Sequence, residues 1–388
     1  MRFVFCAVYM LIIIIGSDIK IRDNEMYKFS LSILFILLTL SASQIMHTFA
    51  QDAESDNDTD WCEINKLTRE YWSAKDSESE KIGKKLISAL QKYLEDKKLE
   101  TDREKIALSL LVSVYKHNSK HNEIVKLADN FVADKEKLTE IQHLLLLEKQ
   151  NSLFELDKFK DLLAESNLHL EFFSKIKKND ESDEIRYFMT KALMHKAKAL
   201  IMLKKEGTDK ILVEIDKIIE KYENKSKVLS VKLIKSELKR FVSLHPGAKL
   251  DDWTAEDING DDVNLSDYNG KKTVIFFWAS WEGKCSYFFE KKITKFIEKL
   301  ADNHIEFIAI SAESIETQKK YLEKEDFNCR FLFDMQSKIY RKYTIETLPY
   351  FIYIDEKATV INSGTLDYFE LLNKSISEKD KKTDENAK

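Results

Sequence analysis

Proline and glycine are placed very unevenly along this chain, and their placement constrains the fold more than any other feature. Residues 51–245 contain no proline and only two glycines, Gly83 and Gly207, whereas both prolines, Pro246 and Pro349, lie in the last third. These two residue types are the strongest helix breakers. A long stretch that almost lacks them can be nearly all helical, so we expect an all-α N-terminal part and a C-terminal part of another class.

Apolar residues in the range 62–243 recur at the spacing of amphipathic helices, as Leu86 and Leu90 do. One helical hairpin, with helices over 192–205 and 209–221, is similar to a tetratricopeptide unit. No clean period of about 34 residues runs through the region, so we interpret it as a degenerate tetratricopeptide-like helical domain. It serves either as a scaffold or dimerisation domain or as a concave surface for a peptide or partner.

The charge balance argues against nucleic acid as a partner. Of the 388 residues, 62 are basic and 67 are acidic, so the formal net charge is −5. A surface that binds nucleic acid needs a clear excess of Lys and Arg to neutralise phosphates. No Cys/His cluster has the spacing of a zinc site either, and we expect neither a metal nor a cofactor.

The sequence pattern changes at 245–247, where His-Pro-Gly ends the last helical stretch. Asn259-Gly260, between two short runs rich in apolar residues, predicts a β-hairpin with a type I′ turn. Apolar runs at 273–277 and 350–354 predict buried strands. The C-terminal part is therefore expected to be an α/β domain.

The N-terminal 50 residues have the features of a secretory signal peptide. An apolar run of about a dozen residues, 29–40, follows Lys28 and precedes small residues that suit cleavage. Either Met1 or Met26 is the start of translation. We expect the folded part to be exported to the bacterial periplasm or cell envelope. An uncleaved signal anchor is the alternative, and it would supply the only membrane association.

Five segments follow from these patterns. They are the N-terminal signal or hydrophobic segment at 1–50, an acidic leader at 51–61, the helical domain at 62–243, the α/β domain at 246–372 and a disordered charged tail at 373–388.

A turn between two tryptophans carries the residues with the most distinctive chemistry. Trp278 and Trp281 enclose Ala-Ser, and Glu282, two further residues and Cys285 follow directly. The turn comes after the predicted strand and before an amphipathic stretch, 287–300, that predicts one helix. These residues therefore lie where a buried strand turns sharply into a helix.

This strand-to-helix turn resembles the active-site turn of the thioredoxin superfamily. More narrowly, it is similar to the redoxin branch and to exported thiol-disulfide oxidoreductases of the TlpA/ResA type. The resemblance covers roughly 246–372 and implies a thioredoxin-like fold, so the fold class is α+β multidomain, with an all-α helical-repeat-like domain and a C-terminal α/β domain. It rests on Asn259-Gly260, 267–271, 278–281, Gly283, Cys285 and 347–349.

In the family the turn reads W-C-x-x-C, and its first cysteine is the nucleophile that the second resolves. Here Glu282 occupies the first position and only Cys285 remains. A carboxylate suits a helix N-terminus, but it cannot form a disulfide. Lys284, Phe288 and Glu290 depart from the family pattern as well. We therefore expect neither two-cysteine exchange nor peroxidase chemistry, which needs a cysteine where Glu282 stands.

Cys285, in the position of the resolving cysteine, has three interpretations. It is an inert core thiol, a single-thiol redox site, or one half of a disulfide with Cys329 or Cys62. A disulfide needs Cα atoms within about 7 Å of each other, which the sequence does not test. Once Cys6 is removed, an odd number of cysteines leaves at least one thiol unpaired in an oxidising compartment.

Two functions of different classes follow. One is an oxidoreductase relative with an incomplete site, monothiol at best, in which Cys285 acts on a thiol- or disulfide-bearing protein. The other is a non-catalytic module that binds a peptide or protein partner. The resemblance implies that Pro349 is a cis-proline and that the substrate groove includes Trp281, Glu282, Gly283, Lys284, Leu348 and Pro349.

Overall fold

The chain forms two compact units, Met1–Val231 and Lys232–Lys388, in a computed structural model. The predicted signal segment, residues 51–58 of the acidic leader and the predicted charged tail lie outside the described residues, while 59–61 belong to the first helix. No helix within the described residues is both long and apolar enough to cross a membrane. The structure describes residues 59–74, 76–95, 97–132, 138–175, 182–222, 225–323, 327, 329–365, 369 and 372.

Nine helices occupy the described residues between 59 and 244, which confirms the all-α N-terminal part. The predicted hairpin is present as the seventh and eighth of these helices, while the tetratricopeptide-like classification stays a prediction. The nine helices are α1 (Thr59–Ser73), α2 (Asp76–Leu94), α3 (Asp102–His117), α4 (His121–Phe131), α5 (Glu140–Glu155), α6 (Phe159–Ser174), α7 (Asp183–Met202), α8 (Thr208–Glu220) and α9 (Lys225–Leu244).

The two glycines of the helical unit each have a physical reason. A Cβ at Gly83 in α2 would lie 2.8 Å from Cε2 of Tyr71 in α1, so glycine lets these helices approach closely. Gly207 precedes α8 with φ of 124°, a conformation that side chains with a Cβ rarely adopt. Glycine is thus kept where the packing or the backbone requires it.

The second unit contains a seven-stranded mixed sheet with strand order β2-β1-β5-β4-β3-β6-β7. Strands β3, β4 and β5 are parallel to one another, β6 runs antiparallel beside β3, and β7 runs antiparallel beside β6. This arrangement confirms the expected thioredoxin-like fold. The elements are β1 (Thr254–Asp257), β2 (Asp262–Asn264), β3 (Lys272–Phe277), α10 (Gly283–Lys291), α11 (Ile293–Asp302), β4 (Ile305–Ser311), α12 (Ile315–Leu322), β5 (Arg330–Phe333), α13 (Lys338–Lys342), β6 (Tyr350–Ile354) and β7 (Val360–Gly364).

Strand β3 is buried on both faces because its side chains alternate between two cores. Val274 and Phe276 pack with the aromatic residues of α10 and α11. Ile275 and Phe277 point to the opposite face, where Tyr343 also packs. The continuous apolar run at 273–277 therefore marks a central strand between two layers.

Two local predictions differ from the structure. The stretch 287–300 was predicted as one helix, but α10 ends and α11 begins around Lys292, whose φ of −133° and ψ of −31° are not helical. The apolar spacing continues through this break, so periodicity could not reveal it.

The hairpin is present, but a type I′ turn needs positive φ at both Asn259 and Gly260, and only Gly260 has it. The buried carboxylate of Asp257 shapes the turn instead, accepting the backbone N–H groups of Asn259 and Asp261.

The boundary between the units falls within α9, earlier than the sequence pattern at 245–247 indicates. The C-terminal half of this helix belongs to the second unit through side-chain contacts. Ser236 donates a hydrogen bond to Glu346 at 3.0 Å, and Arg240 donates to the Thr344 carbonyl at 3.3 Å. Leu244 is buried in the core of the second unit.

The helical unit contains a buried polar cluster that no sequence pattern predicted. His169 Nε2 lies 2.9 Å from His143 Nδ1, and His169 Nδ1 lies 3.1 Å from the Gln150 amide nitrogen. All three side chains are buried, as is His195 in α7. Burial lowers the pKa of His143 to about 4 and that of His169 to about 3, and it also lowers the pKa of His195. The cluster is therefore neutral at pH 7.

We predict that the helical unit loses stability in acid because of these histidines. The unfolded chain binds protons below about pH 6.5, whereas folded His143 and His169 bind them only near pH 4 and 3. The free energy of unfolding should therefore fall as the pH drops from about 6.5 towards 4. Guanidinium unfolding across this range should show a shallower fall for His169→Gln than for the wild type. The exposed His304 supplies a control, His304→Asn; an equal slope in the wild type and His169→Gln would contradict the prediction.

Candidate functional site

The candidate site lies at the carboxyl ends of the parallel strands β3 and β4. Phe277 pairs with Ile310, and the Trp278 backbone N–H donates to the Ile310 carbonyl at 3.1 Å. The chain then leaves β3 through 278–282 and leaves β4 through 311–314. Because the strands are parallel and in register, these two loops meet at one edge of the sheet.

The buried side chain of Trp278 anchors the turn to the core of the second unit. Its side chain is fully buried, with its ring centroid 4.7 Å from that of Phe289 and 5.5 Å from that of Tyr321. The Tyr340 hydroxyl donates to the carbonyls of Trp278 and Ile310, at 2.9 and 3.1 Å. One hydroxyl thus ties the ends of both strands together.

Glu313 fixes the middle of the turn from the neighbouring loop. Its carboxylate accepts the Ser280 backbone N–H at 2.6 Å and the Ser280 hydroxyl at 2.7 Å. The backbone N–H of Glu313 in turn donates to the Ser311 hydroxyl at 3.2 Å. Hydrogen bonds to a charged acceptor are stronger than those between neutral groups. Glu313 therefore positions the backbone just before Trp281 and Glu282.

Glu282 is the N-cap residue of α10. Its backbone is extended, with φ of −88° and ψ of 113°, and its carboxylate accepts the Lys284 backbone N–H at 3.2 Å. A carboxylate at this position satisfies a donor that the helix leaves unpaired and interacts favourably with the helix dipole. Glu282 thus acts as a stabilising cap at the start of α10.

Cys285 lies in the first turn of α10 and is fully buried. Burial, together with smaller contributions from the negative charges of Glu282 and Glu313, raises the pKa of its thiol to about 12. A thiol with this pKa is almost entirely protonated at neutral pH. The carboxylate of Glu282 therefore also opposes ionisation of Cys285.

Cys285 and Cys329 are free thiols. The disulfide considered between Cys285 and Cys329 is accordingly not formed in this structure. Burial also raises the pKa of the Cys329 thiol to about 12. Neither thiol is activated by its surroundings.

An open groove of about 580 Å³ lies beside the turn. Of the six predicted groove residues, Trp281, Glu282, Lys284 and Leu348 line it. Gly283 and Pro349 are not among its lining residues. The Leu348–Pro349 peptide bond is cis, as the resemblance implied. Pro349 itself is buried and Leu348 is half-buried.

Sequence reasoning missed Glu313, Glu346 and Tyr340, which also line the groove. A signal for Glu313 was available, because it follows the apolar run at 305–310 and so lies at the same sheet edge as the turn after β3. Tyr340 and Glu346 come from segments whose proximity depends on the packing of α13 and the loop before β6. The described residues contain no grouping of three or more His, Cys, Asp or Glu that could hold a metal ion.

The C-terminal third is a redoxin domain, since residues 246–363 match the AhpC/TSA family. The chain is 28% identical over 134 residues to the thioredoxin-like protein YneN of Bacillus subtilis, covering 33% of this chain and 77% of that protein. It is 26% identical over 119 residues to the thiol-disulfide oxidoreductase ResA of Bacillus cereus, covering 30% of this chain and 66% of that protein. These similarities concern the second unit alone.

Among solved structures, the chain is similar to the thioredoxin domain of a thiol-disulfide oxidoreductase from Bacteroides vulgatus. That match has a TM-score of 0.31 and 20% sequence identity, and it covers 34% of this chain and 99% of the other.

We predict that Glu313→Ala loosens the turn and destabilises the second unit by about 1–3 kcal/mol, because the Ser280 N–H loses a charged acceptor. Ser280→Ala removes only the hydroxyl bond and should cost less. Hydrogen exchange of peptides covering 278–285 and guanidinium unfolding measure both effects. Glu298→Ala, which removes an exposed carboxylate on α11, is the matched control. Unchanged protection of the turn in Glu313→Ala would show that Glu313 does not position it.

Proposed function

We propose that this protein, whose C-terminal third is a redoxin domain, is an exported, non-catalytic binding module that holds an extended segment of a protein partner in the groove beside Trp281 and Leu348. One observation carries the proposal. The nucleophile position holds the carboxylate of Glu282, and the remaining thiol of Cys285 is fully buried. A groove of the family is thus present without the groups that its exchange chemistry needs.

Thiol-disulfide exchange begins when a thiolate attacks a disulfide sulfur. Glu282 has no sulfur, and the raised pKa of Cys285 leaves very little thiolate at neutral pH. Full burial also keeps an incoming disulfide away from the Cys285 sulfur. These features argue against turnover by this chain.

The groove has features that suit peptide binding. At the edge of the groove, Trp281 is 71% exposed, and large exposed aromatic side chains are typical of binding hot spots. On the other wall, Thr347 and Leu348 lead into the cis peptide bond. An extended segment of a partner is an occupant that such an open groove can accept.

A single-thiol redox role is the second candidate, because Cys285 remains a free thiol next to the turn. It requires local opening of the first turn of α10 to expose the sulfur. The two functions differ in whether partner capture depends on this thiol.

We expect the wild type and Cys285→Ala to show no insulin reduction above the dithiothreitol background and to bind the same partners equally. Glu282→Cys should gain turnover, since the new thiol can attack an insulin disulfide and Cys285 can then displace the reduced chain. Two thiols become one disulfide in this cycle, the insulin disulfide gains two electrons and two protons, and dithiothreitol restores the thiols. Insulin turbidity and pull-down from envelope extracts measure these outcomes.

Cys329→Ala is the control for the loss of a different thiol, which is half-buried, in the same unit. Loss of partner capture in Cys285→Ala, but not in Cys329→Ala, would overturn the non-catalytic proposal and favour the single-thiol role. Insulin reduction by the wild type would overturn it as well.

Export is the remaining part of the proposal and rests on the apolar run at 29–40 and the residues around it. We expect the mature protein in the periplasmic or envelope fraction, with an N-terminus within or just after 41–50, as cleavage after a signal peptide would leave it. Cell fractionation and N-terminal sequencing measure this. A mature N-terminus at Met1 or Met26, together with a soluble cytoplasmic location, would contradict it.

A further inference from the structure

We propose that the groove beside Trp281 selects a segment of the partner that carries a lysine or arginine side chain. This inference rests on the proposed binding function and names the chemistry of its substrate. It is carried by the charge of the groove and by the exposed aromatic side chain of Trp281.

Three carboxylates and one amine line the groove among the described residues. The carboxylates belong to Glu282, Glu313 and Glu346, and the amine to Lys284. Their charges sum to about −2, so the groove attracts a positive group and repels a negative one. A concave site with low-dielectric walls strengthens such a preference.

The three carboxylates differ in how many hydrogen bonds each already accepts. Glu313 accepts the Ser280 backbone N–H and hydroxyl through its two oxygens. Glu282 accepts one backbone N–H, and Glu346 accepts one hydroxyl from Ser236. A carboxylate has about four acceptor positions. Glu282 and Glu346 therefore retain the capacity to bind a guanidinium or ammonium group.

Trp281 provides a surface that favours the same ligand. Its indole is 71% exposed, next to the carboxylate of Glu282 along the chain. A guanidinium or ammonium group is attracted to the face of an indole ring, and tryptophan is the best residue for this interaction. The indole and the carboxylates thus favour one type of side chain.

Fluorescence anisotropy with three labelled nonapeptides tests the selection. Each is built from Ser, Gly and Ala and differs only in its central residue, which is Arg, Gln or Glu. We expect the full-length protein to bind the Arg peptide roughly tenfold more tightly than the Gln peptide and the Glu peptide most weakly. The preference for Arg should shrink at high salt, because screening weakens exposed charge pairs.

Groove variants should change the affinity for the Arg peptide in opposite directions. Glu282→Gln and Glu346→Gln should each weaken it about three- to fivefold, since each removes one exposed charge pair. Lys284→Gln should tighten it, because it removes the positive charge from the groove. Trp281→Ala should weaken it, and Glu298→Gln, which changes an exposed carboxylate on α11 outside the groove, should leave it unchanged.

Equal affinities for the Arg and Gln peptides would overturn the charge selection. If Trp281→Ala weakens both peptides equally in that case, the groove still binds peptides and the proposed function stands. If Trp281→Ala changes the affinity for none of the three peptides, both the charge selection and the proposed binding function fail. Tighter binding of the Arg peptide to Glu282→Gln than to the wild type would also overturn the selection.

Discussion

The hydrogen bonds from Ser280 to the Glu313 carboxylate connect the two loops from which the candidate site is built. They form because β3 and β4 are parallel and in register, so that both loops leave the same edge of the sheet. The exposed position of Trp281 and the capping position of Glu282 depend on this connection, since both residues follow Ser280 directly. The geometry of the groove is therefore set by backbone pairing in the sheet and by one carboxylate outside the motif itself.

The charges around the turn are compatible with the binding of a partner but disfavour thiol-disulfide exchange. A cysteine at a helix N-terminus becomes reactive when its surroundings stabilise the thiolate. Here the helix N-terminus is used by the Glu282 carboxylate, and negative charge beside Cys285 raises its pKa further. The same carboxylate stabilises the start of α10.

The sequence predicted features that depend on local periodicity and on residue type. The helical first unit and the apolar strand at 273–277 belong to this group, whereas the cis bond before Pro349 was implied by the family resemblance. It did not predict the break at Lys292, because the apolar spacing runs through it. Glu346 and the buried histidine pair were missed for another reason: residues far apart in the chain are brought together only by packing. Tertiary contacts of this kind leave no periodic signal.

In helix α9, the boundary that the sequence pattern indicates differs from the boundary between the two compact units. His-Pro-Gly at 245–247 marks where the helix ends, yet the C-terminal half of that helix supplies Leu244 to the second core and Ser236 and Arg240 to hydrogen bonds within the second unit. A fragment that begins at Pro246 would expose the surface that this half-helix covers and would leave Glu346, at the groove, without its hydroxyl donor. The compact second unit therefore includes half of a helix that the family match at 246–363 omits.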